Sequence, residues 1–167
     1  MTSWTIAPEP FDSKAARALW RAYYTEISDR WYQREFGLLK DYSDELEQEI
    51  VAATGAEFGP PSGTLLVARY GGEAVGCAGV HLLEPGTAEV KRVFLTKEVR
   101  GKGGADLLLE AVEKAALDLG ARRLVLDTRI DLVEARALYA RHGYVEIPAH
   151  NDCTFSDLWF EKRLAPA

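Results

Sequence analysis

The 167-residue sequence has few cysteines, no excess of cationic residues and no long apolar run, and each shortage excludes a class of protein. Its two cysteines, Cys77 and Cys153, lack a CxxC spacing and cannot build a disulfide framework. Cys77 lies in an apolar run, so we expect a small buried residue there. Lys and Arg number 20 against 26 Asp and Glu, and the formal net charge of −6 disfavours binding to nucleic acid or to an anionic membrane.

Longer sequence features are equally scarce. No apolar run approaches the roughly 18 residues that a membrane-spanning helix requires. Residues 1–6 have neither the basic nor the apolar region of a secretory signal peptide. No internal repeat, low-complexity tract or long linker divides the chain, and its length suits one hydrophobic core. We therefore expect a soluble, cytoplasmic protein in which residues 1–167 form a single domain.

The charges that are present are segregated along the chain. Residues 41–57 carry acidic side chains and no Lys or Arg, namely Asp41, Asp44, Glu45, Glu47, Glu49 and Glu57. Residues 91–102 carry the opposite bias, with Lys91, Arg92, Lys97, Arg100 and Lys102 against Glu98. The mild average acidity therefore hides one acidic and one basic segment.

Hydrophobic periodicity predicts an α+β fold with a mixed sheet. The expected helices are one capped by Asp12 or Ser13 that ends near Gly37, one from Ser43 or Asp44 to near Gly55, and two over residues 105–119 and 132–142. The expected strands cover residues 4–7, 64–70, 73–81, 87–95, 124–128, 144–147 and about 157–163. Tight turns make strands 64–95 an antiparallel meander. Strand 87–95, helix 105–119 and strand 124–128 form a βαβ unit, whose two strands should be parallel.

Strand 87–95 has a break in its alternation. In a regular strand Val90 would point to one face of the sheet, and Val93 and Leu95 would point to the other. If all three face the core, an extra residue forms a β-bulge near Lys91 and Arg92. The alternative is that Val90 faces a different layer. A bulge would leave backbone groups free to bind a ligand that is rich in amides.

The glycine-rich run after this strand is suited to a pyrophosphate. Gly101, Gly103 and Gly104 allow successive N–H groups to converge at the start of a helix, where the partial positive charge favours anions. Arg100 and Lys102 add full charges. A Walker loop would need a hydroxyl after Lys102, and a dinucleotide-binding loop would need a different glycine spacing after the first strand of a parallel sheet. A simple glycine-rich turn remains the alternative.

The sequence around this loop resembles the GNAT superfamily, the acetyl-CoA-dependent N-acetyltransferases. Arg100-x-x-Gly103-x-Ala105 matches the signature Gln/Arg-x-x-Gly-x-Gly/Ala, and residues 89–95 and 137–144 also match. The resemblance is close over about residues 64–147. It implies the GNAT fold, a mixed and mostly antiparallel sheet flanked by helices, with acetyl-CoA as cosubstrate and no metal.

The resemblance also implies where the coenzyme binds. The pantetheine arm contacts Val93, Phe94 and Leu95, chiefly through the backbone of the first and last. The pyrophosphate lies on the amides of Arg100, Gly101, Lys102, Gly103, Gly104 and Ala105. Strands 87–95 and 124–128 splay apart in that fold, which leaves unpaired backbone groups for the pantetheine. One position departs from the family pattern. Many relatives have an Asn that contacts the coenzyme where this chain has Leu132, so this contact is absent or is made by Asp131.

The implied reaction is direct attack of an amine on the acetyl thioester. Tyr139 matches the family tyrosine near the coenzyme sulfur and would act as general acid, with a core aromatic as the alternative. A backbone N–H near Val93 would stabilise the oxyanion. Glu89 is the candidate base, acting directly or through water, with an exposed strand carboxylate as the alternative. His81 is a weaker candidate, and many relatives use no dedicated base.

The first sixty residues point to the acceptor. Trp20, Tyr23, Tyr24, Trp31 and Tyr32, with the acidic segment, would form a mouth that attracts a cationic amine. A core stripe beside a solvated acidic helix is the alternative. We expect a small-molecule amine. The alternative function is a non-catalytic acyl-CoA-binding domain. Residues 155–164 could form an edge strand that pairs with a second copy in a homodimer, although a buried strand explains them as well.

Overall fold

The computed structural model describes residues 3–37 and 43–165. Within these ranges the helices are α1 (Lys14–Phe36), α2 (Ser43–Ala52), α3 (Gly104–Asp118) and α4 (Val133–Arg141). The strands are β1 (Trp4–Pro8), β2 (Gly63–Tyr70), β3 (Glu73–Glu84), β4 (Thr87–Leu95), β5 (Arg123–Thr128), β6 (Val145–Ile147) and β7 (Leu158–Arg163). None of these helices is long and apolar enough to cross a membrane. Asp41, the first residue of the acidic segment, lies outside the described residues.

Local sequence signals set the ends of α1. The Ser13 hydroxyl accepts a hydrogen bond from the Ala16 N–H at 3.0 Å, so Ser13 rather than Asp12 is the N-cap. At the other end Gly37 takes a left-handed conformation, with φ of 72°, and its N–H caps the Gln33 carbonyl.

The strands form one sheet in the order β1-β2-β3-β4-β5-β7-β6. Only β4 and β5 run parallel among the described pairs, as the βαβ unit connected through α3 predicts. The other pairs are antiparallel. The α+β class and the mixed, mostly antiparallel sheet are therefore confirmed.

Each face of the sheet has its own core. On one face α3 buries Leu108, Val112 and Ala116, which are spaced four residues apart, against strands β2 to β5. On the other face α1 buries Ala16, Leu19 and Trp20 against a second cluster, which contains Phe58, Leu65, Val67, Cys77 and Phe94. Cys77 is fully buried, as expected.

The predicted bulge in β4 is present. Gly79 of β3 is paired with Lys91, whereas Cys77 is paired with Phe94, so β4 contains one extra residue. Arg92 accommodates it with a φ of 57°, which is uncommon for a residue other than glycine. As a result Val90, Val93 and Leu95 all contact the α3-side core, while Phe94 joins the α1-side core.

Strands β4 and β5 separate soon after they begin to pair. Their register contains three pairs, ending at Glu89 with Val125, although both strands continue beyond that point. Val93 has no register partner on β3 or on β5. The gap therefore exposes backbone groups that no neighbouring strand satisfies.

The proposed edge strand at the C-terminal end is wrong. Strand β7 pairs with β5 on one side and with β6 on the other, and Trp159, Phe160 and Glu161 are paired on both sides. The short β6 returns antiparallel along β7 and occupies the edge instead. Residues 159–161 are therefore internal to the sheet, and a dimer cannot form by pairing along that part of β7.

Candidate active site

A cavity of about 480 Å³ lies where β4 and β5 diverge. Residues 90–93 of β4 and 127–129 at the end of β5 form two of its walls, and Tyr139 of α4 reaches it from behind. The third wall is α1, which contributes the rings of Tyr23, Tyr24, Trp31 and Tyr32. The splayed strands thus leave a partly open cavity in which two backbones and several polar side chains meet.

Tyr139 both packs in the core and opens onto this cavity. Its ring centroid lies 5.7 Å from that of Tyr144 and 6.3 Å from that of Phe160, and the residue is 5% exposed. Burial raises the pKa of Tyr139 well above its usual value, and the charge of Asp127 raises it further. The phenol is therefore protonated at neutral pH and can donate a hydrogen bond or a proton.

Glu89 is buried rather than exposed. Its oxygens lie 3.0 Å from His81 Nε2, 3.1 Å from His150 Nε2 and 3.3 Å from Asn151 Nδ2, and Lys91 Nζ is 3.8 Å away. Burial raises the pKa of Glu89, but the hydrogen bonds from the histidines and the charge of Lys91 outweigh it and lower the pKa to about 2. Glu89 is not among the residues that line the cavity.

Sequence reasoning missed Asp127, which does line the cavity. It is the penultimate residue of β5, two positions beyond the last residue paired with β4. Ser156 Oγ donates to one of its oxygens at 2.5 Å and Asn151 Nδ2 donates to the other at 2.9 Å. The available signal was an acidic side chain directly after the apolar run 124–126, at the end of a strand in the βαβ unit.

Glu89, Asp127 and His150 could also hold a divalent cation. One ligand atom from each lies within 4.8 Å of the others. In this arrangement, however, Asn151 Nδ2 donates to both carboxylates and His150 Nε2 contacts Glu89. Donors of the cluster itself therefore hydrogen-bond both carboxylates without a cation. Through Asn151 the cluster also links the buried Glu89 to Asp127 on the cavity wall.

The predicted pyrophosphate loop has the backbone that an anion site needs. Gly101 and Gly103 have φ of 80° and 83°, and a Cβ built on either would meet nothing within 4 Å. Gly103 is the N-cap of α3, and no side chain caps the helix. The first N–H groups of this 15-residue helix therefore have no side-chain acceptor at the N-cap, as an anion site at a helix N-terminus requires.

A residue distant in sequence holds this loop. Trp4 Nε1 donates to the Lys102 carbonyl at 2.9 Å, and the Trp4 ring covers Gly104 so closely that a Cβ there would lie 2.3 Å from it. Lys102 Nζ lies 5.7 Å from the centroid of the Tyr70 ring. Trp4 of β1 thus fixes the loop, although it lies 98 positions earlier in the sequence. The loop motif alone could not reveal this contact.

Several cations of the basic segment already have partners. Lys91 lies near Glu89, and the Arg92 guanidinium stacks 4.5 Å from the centroid of Trp20. Arg100 donates to the Leu95 carbonyl at 2.7 Å and pairs with Glu26 at 2.8 Å. Lys91 and Arg92 therefore have partners within the protein, although both also line the cavity.

The aromatic and acidic mouth is assembled in part. Tyr23, Tyr24, Trp31 and Tyr32 line the cavity, as do Glu49 and Glu57 of the acidic segment. Trp20 does not, since it is 3% exposed in the α1-side core. Both sequence interpretations of α1 therefore apply, each to a different set of its aromatic residues.

Comparison with known proteins matches this arrangement. The model of the acetyltransferase (GNAT) family matches residues 14–144, which include both strands of the gap, the loop and Tyr139. The chain belongs to the GNAT acetyltransferase family. An uncharacterised N-acetyltransferase of Schizosaccharomyces pombe is 36% identical over 118 residues, covering 68% of this chain and 69% of the relative. The resemblance inferred from the loop is thereby confirmed.

Two other GNAT proteins extend the comparison. An aminoglycoside N(6′)-acetyltransferase of Stenotrophomonas maltophilia is 33% identical over 127 residues, covering 70% of this chain and 78% of that enzyme. A GNAT family acetyltransferase from Elizabethkingia anophelis, whose structure has acetyl-CoA bound, superposes with a TM-score of 0.63 at 18% identity, covering 96% of this chain and 98% of that one. The latter likeness concerns the fold.

Proposed function

We propose that this GNAT protein transfers the acetyl group of acetyl-CoA to the primary amine of a small molecule by direct attack. The observation that carries the proposal is the cavity at the separation of β4 and β5, which Tyr139 lines. Helix α3, which connects these two strands, has no side chain capping its N-terminus. An aminoglycoside-acetylating relative and an acetyl-CoA-bound structural neighbour support the two substrate classes.

The chain's own groups suit acetyl-CoA. The loop amides from Arg100 to Ala105, with open space above Gly101 and Gly103, would hold the pyrophosphate. The unpaired backbone of Val93 would meet the pantetheine arm and the developing oxyanion, and Phe94 and Leu95 continue that strand. The Leu95 carbonyl accepts from Arg100, so its contact with pantetheine would require that hydrogen bond to be shared or displaced. Acetyl-CoA supplies an activated thioester that a neutral amine can attack.

Tyr139 would serve as the general acid. Burial and the nearby Asp127 keep its phenol protonated, and a thiolate leaving group needs a proton. The pKa of Glu89 is lowered to about 2 and its oxygens are occupied by donors, so it is a weak proton acceptor. It is better suited to positioning Asn151 and Lys91, and any base role would run through water.

Two variants separate binding from chemistry. Gly103→Val should abolish the rise in Tm caused by acetyl-CoA, because a branched side chain fills the space above the loop and is strained at a φ of 83°. Gly72→Val is the matched control, since Gly72 has a φ of 85° and open surroundings in the β2–β3 turn. Tyr139→Phe should keep the acetyl-CoA shift and lower kcat by about 10²-fold.

The wild-type assay decides between catalysis and binding alone. Acetyl-CoA is incubated with the protein and a panel of primary amines, and free thiol is measured. Release of CoA that depends on an amine supports the proposal. A Tm shift without any amine-dependent thiol would support a non-catalytic acyl-CoA-binding domain, and the absence of a shift would contradict both.

A further inference from the structure

We infer that Asp127 binds the ammonium group of the acceptor and takes its first proton, and that the acceptor is a primary amine on an aromatic body. This inference rests on the proposed acetyl transfer and names both a catalytic residue and the substrate class. It is carried by the position of Asp127 on the cavity wall, by the absence of an ion pair to it among the described residues and by the aromatic rings that line the same cavity.

Asp127 is a carboxylate in need of a cation. It is only partly exposed, and no Lys, Arg or His nitrogen of the described residues lies within ion-pair distance of it. Its two partners, Ser156 and Asn151, are neutral donors, one to each oxygen. A partly buried charge without a counter-ion is costly, and a substrate ammonium would supply the missing charge.

The two neutral donors also orient this carboxylate. An ionised carboxylate has about four acceptor positions, and Ser156 and Asn151 use one on each oxygen. Acceptor capacity therefore remains on both oxygens, and the residue lines the cavity. Two fixed hydrogen bonds reduce the entropy that would be lost when the ammonium binds.

Neighbouring cations cannot substitute for a substrate. Arg129 is held by Asp131 through both Nε and Nη2, at 3.0 and 3.1 Å, and its Nη1 donates to the Ile27 carbonyl. Lys91 Nζ lies 3.8 Å from Glu89. Arg129 and Lys91 thus serve other acceptors. Arg92 also lines the cavity, and its Nη1 has no hydrogen-bond partner among the described residues, but its guanidinium stacks on Trp20 rather than pairing with Asp127. A His150 nitrogen lies within 4.8 Å of an Asp127 oxygen, beyond ion-pair distance, and His150 Nε2 contacts Glu89.

Aromatic rings that line the same cavity fit an aromatic body. Trp31 contacts Phe155 edge-to-face, with centroids 5.9 Å apart, and Tyr23 contacts Tyr24 in the same manner at 5.2 Å. All four residues line the cavity. A flat hydrophobic group between such rings gains both area burial and ring contacts, and an ammonium on the way to Asp127 is attracted by their faces.

Asp127 and Tyr139 together account for every proton that moves in the reaction. The acceptor R–NH₃⁺ gives one proton to the Asp127 carboxylate and becomes R–NH₂, whose lone pair forms the N–C bond at the thioester carbonyl. When the C–S bond breaks, the sulfur takes the proton of Tyr139. The acetylated nitrogen then returns its second proton to the Tyr139 phenolate, and Asp127 releases its proton to solvent. The products are the amide, CoA thiol and one H⁺.

Asp127→Asn is the central variant because it keeps the shape and removes the charge. We expect kcat/KM for phenethylamine to fall about 10²-fold or more, since both a charge-assisted hydrogen bond and a proton acceptor are lost. The acetyl-CoA Tm shift should remain. Asp152→Asn, at an exposed position in the same loop as Asn151, removes an equal charge away from the cavity and should retain full activity.

A second variant keeps the inference testable if Asp127→Asn folds poorly. Asp127→Ala opens space for a small carboxylate, so added formate should restore part of its turnover, whereas equal chloride should not. On the substrate side, phenethylamine should have a KM at least tenfold below that of ethylamine with the wild-type protein.

Each contrary result has a distinct meaning. If Asp127→Asn keeps kcat/KM within about threefold of wild type while Glu89→Gln loses it, the assignment of the base to Asp127 is overturned. Equal KM values for ethylamine and phenethylamine would overturn the aromatic class. A wild-type protein that acetylates no amine at all would overturn the proposed function and this inference with it.

Discussion

Gly104→Ala tests whether Trp4 holds the pyrophosphate loop in place. A Cβ on Gly104 would lie 2.3, 2.4 and 2.8 Å from atoms of the Trp4 ring. Gly104 does not need a left-handed conformation, so the obstacle is purely steric. The ring cannot retreat without loss, because its Nε1 donates to the Lys102 carbonyl and its centroid lies 4.8 Å from that of Tyr70.

Opposing effects determine how much Gly104→Ala changes the free energy of unfolding. Alanine is favoured over glycine inside a helix by up to about 1 kcal/mol. Forcing a methyl group into a packed site costs about 1–3 kcal/mol, and losing the indole hydrogen bond costs about 1 kcal/mol more. At 2.3 Å the clash outweighs the propensity gain, so we expect a net loss of about 1–3 kcal/mol. For a chain of this size, each kcal/mol lowers Tm by about 2–4 °C.

Denaturation in urea and by heat measures the change in stability. Titration with CoA measures the affinity of the loop for the coenzyme. Gly104→Ala should lower both stability and CoA affinity. Adding Trp4→Leu should rescue part of the loss, giving a coupling energy of at least about 1 kcal/mol between the two sites. Gly72→Ala, at a position with no neighbours, controls for the loss of a glycine. A Gly104→Ala protein that is more stable than wild type, with unchanged CoA affinity, would refute the steric argument.

Three further predictions follow from individual contacts. Trp4→Phe keeps an aromatic ring and removes only the donor to Lys102, so CoA affinity measured by titration should fall about fivefold, as expected for a hydrogen bond of about 1 kcal/mol; unchanged affinity would show that the bond does not support the loop. The folded pKa of Glu89 is about 2, so its ionised form stabilises the protein above about pH 4, and that contribution is lost as the pH falls towards 2. Glu89→Gln should therefore cost about 3 kcal/mol at pH 7 and progressively less below pH 4 in urea denaturation at several pH values; a gap that does not narrow in acid would contradict the assignment. Burial raises the pKa of the Cys77 thiol to about 12, so iodoacetamide should add one label to the native protein, at Cys153, and two after unfolding, as read by intact mass; labelling of native Cys77 would contradict its burial.

The phosphate loop shows how far local sequence determines a site. Glycines at 101, 103 and 104 before an amphipathic helix are sufficient to predict an anion cradle, because backbone conformation and helix polarity are properties of neighbouring residues. The bulge in β4 was also readable, since a change of parity between Val90 and Val93 has only a few structural solutions.

The surroundings of Glu89 could not be predicted in the same way. Its hydrogen-bond partners are His81 on the neighbouring strand and His150 and Asn151, more than sixty positions away. Such contacts depend on how the segment after β6 crosses the sheet. The same long-range packing brings Ser156 to Asp127, and it places β6 rather than β7 at the sheet edge.

The sequence by itself determined the α+β class, the βαβ unit, the backbone of the predicted anion-binding loop and the position of Tyr139 on α4, because each is encoded within a short stretch by periodicity, glycine placement or a motif. The tertiary structure alone decided which carboxylate reaches the cavity, which cations are already neutralised and what holds the loop. Those answers depend on side chains that meet across about 20 to 100 positions of sequence, such as Trp4 with Lys102 and Asn151 with Asp127. Burial and pairing are properties of the assembled sheet. They separate two acidic residues of adjacent strands into a buried Glu89 beside histidines and an Asp127 on the cavity wall, whose hydrogen bonds among the described residues come from neutral donors.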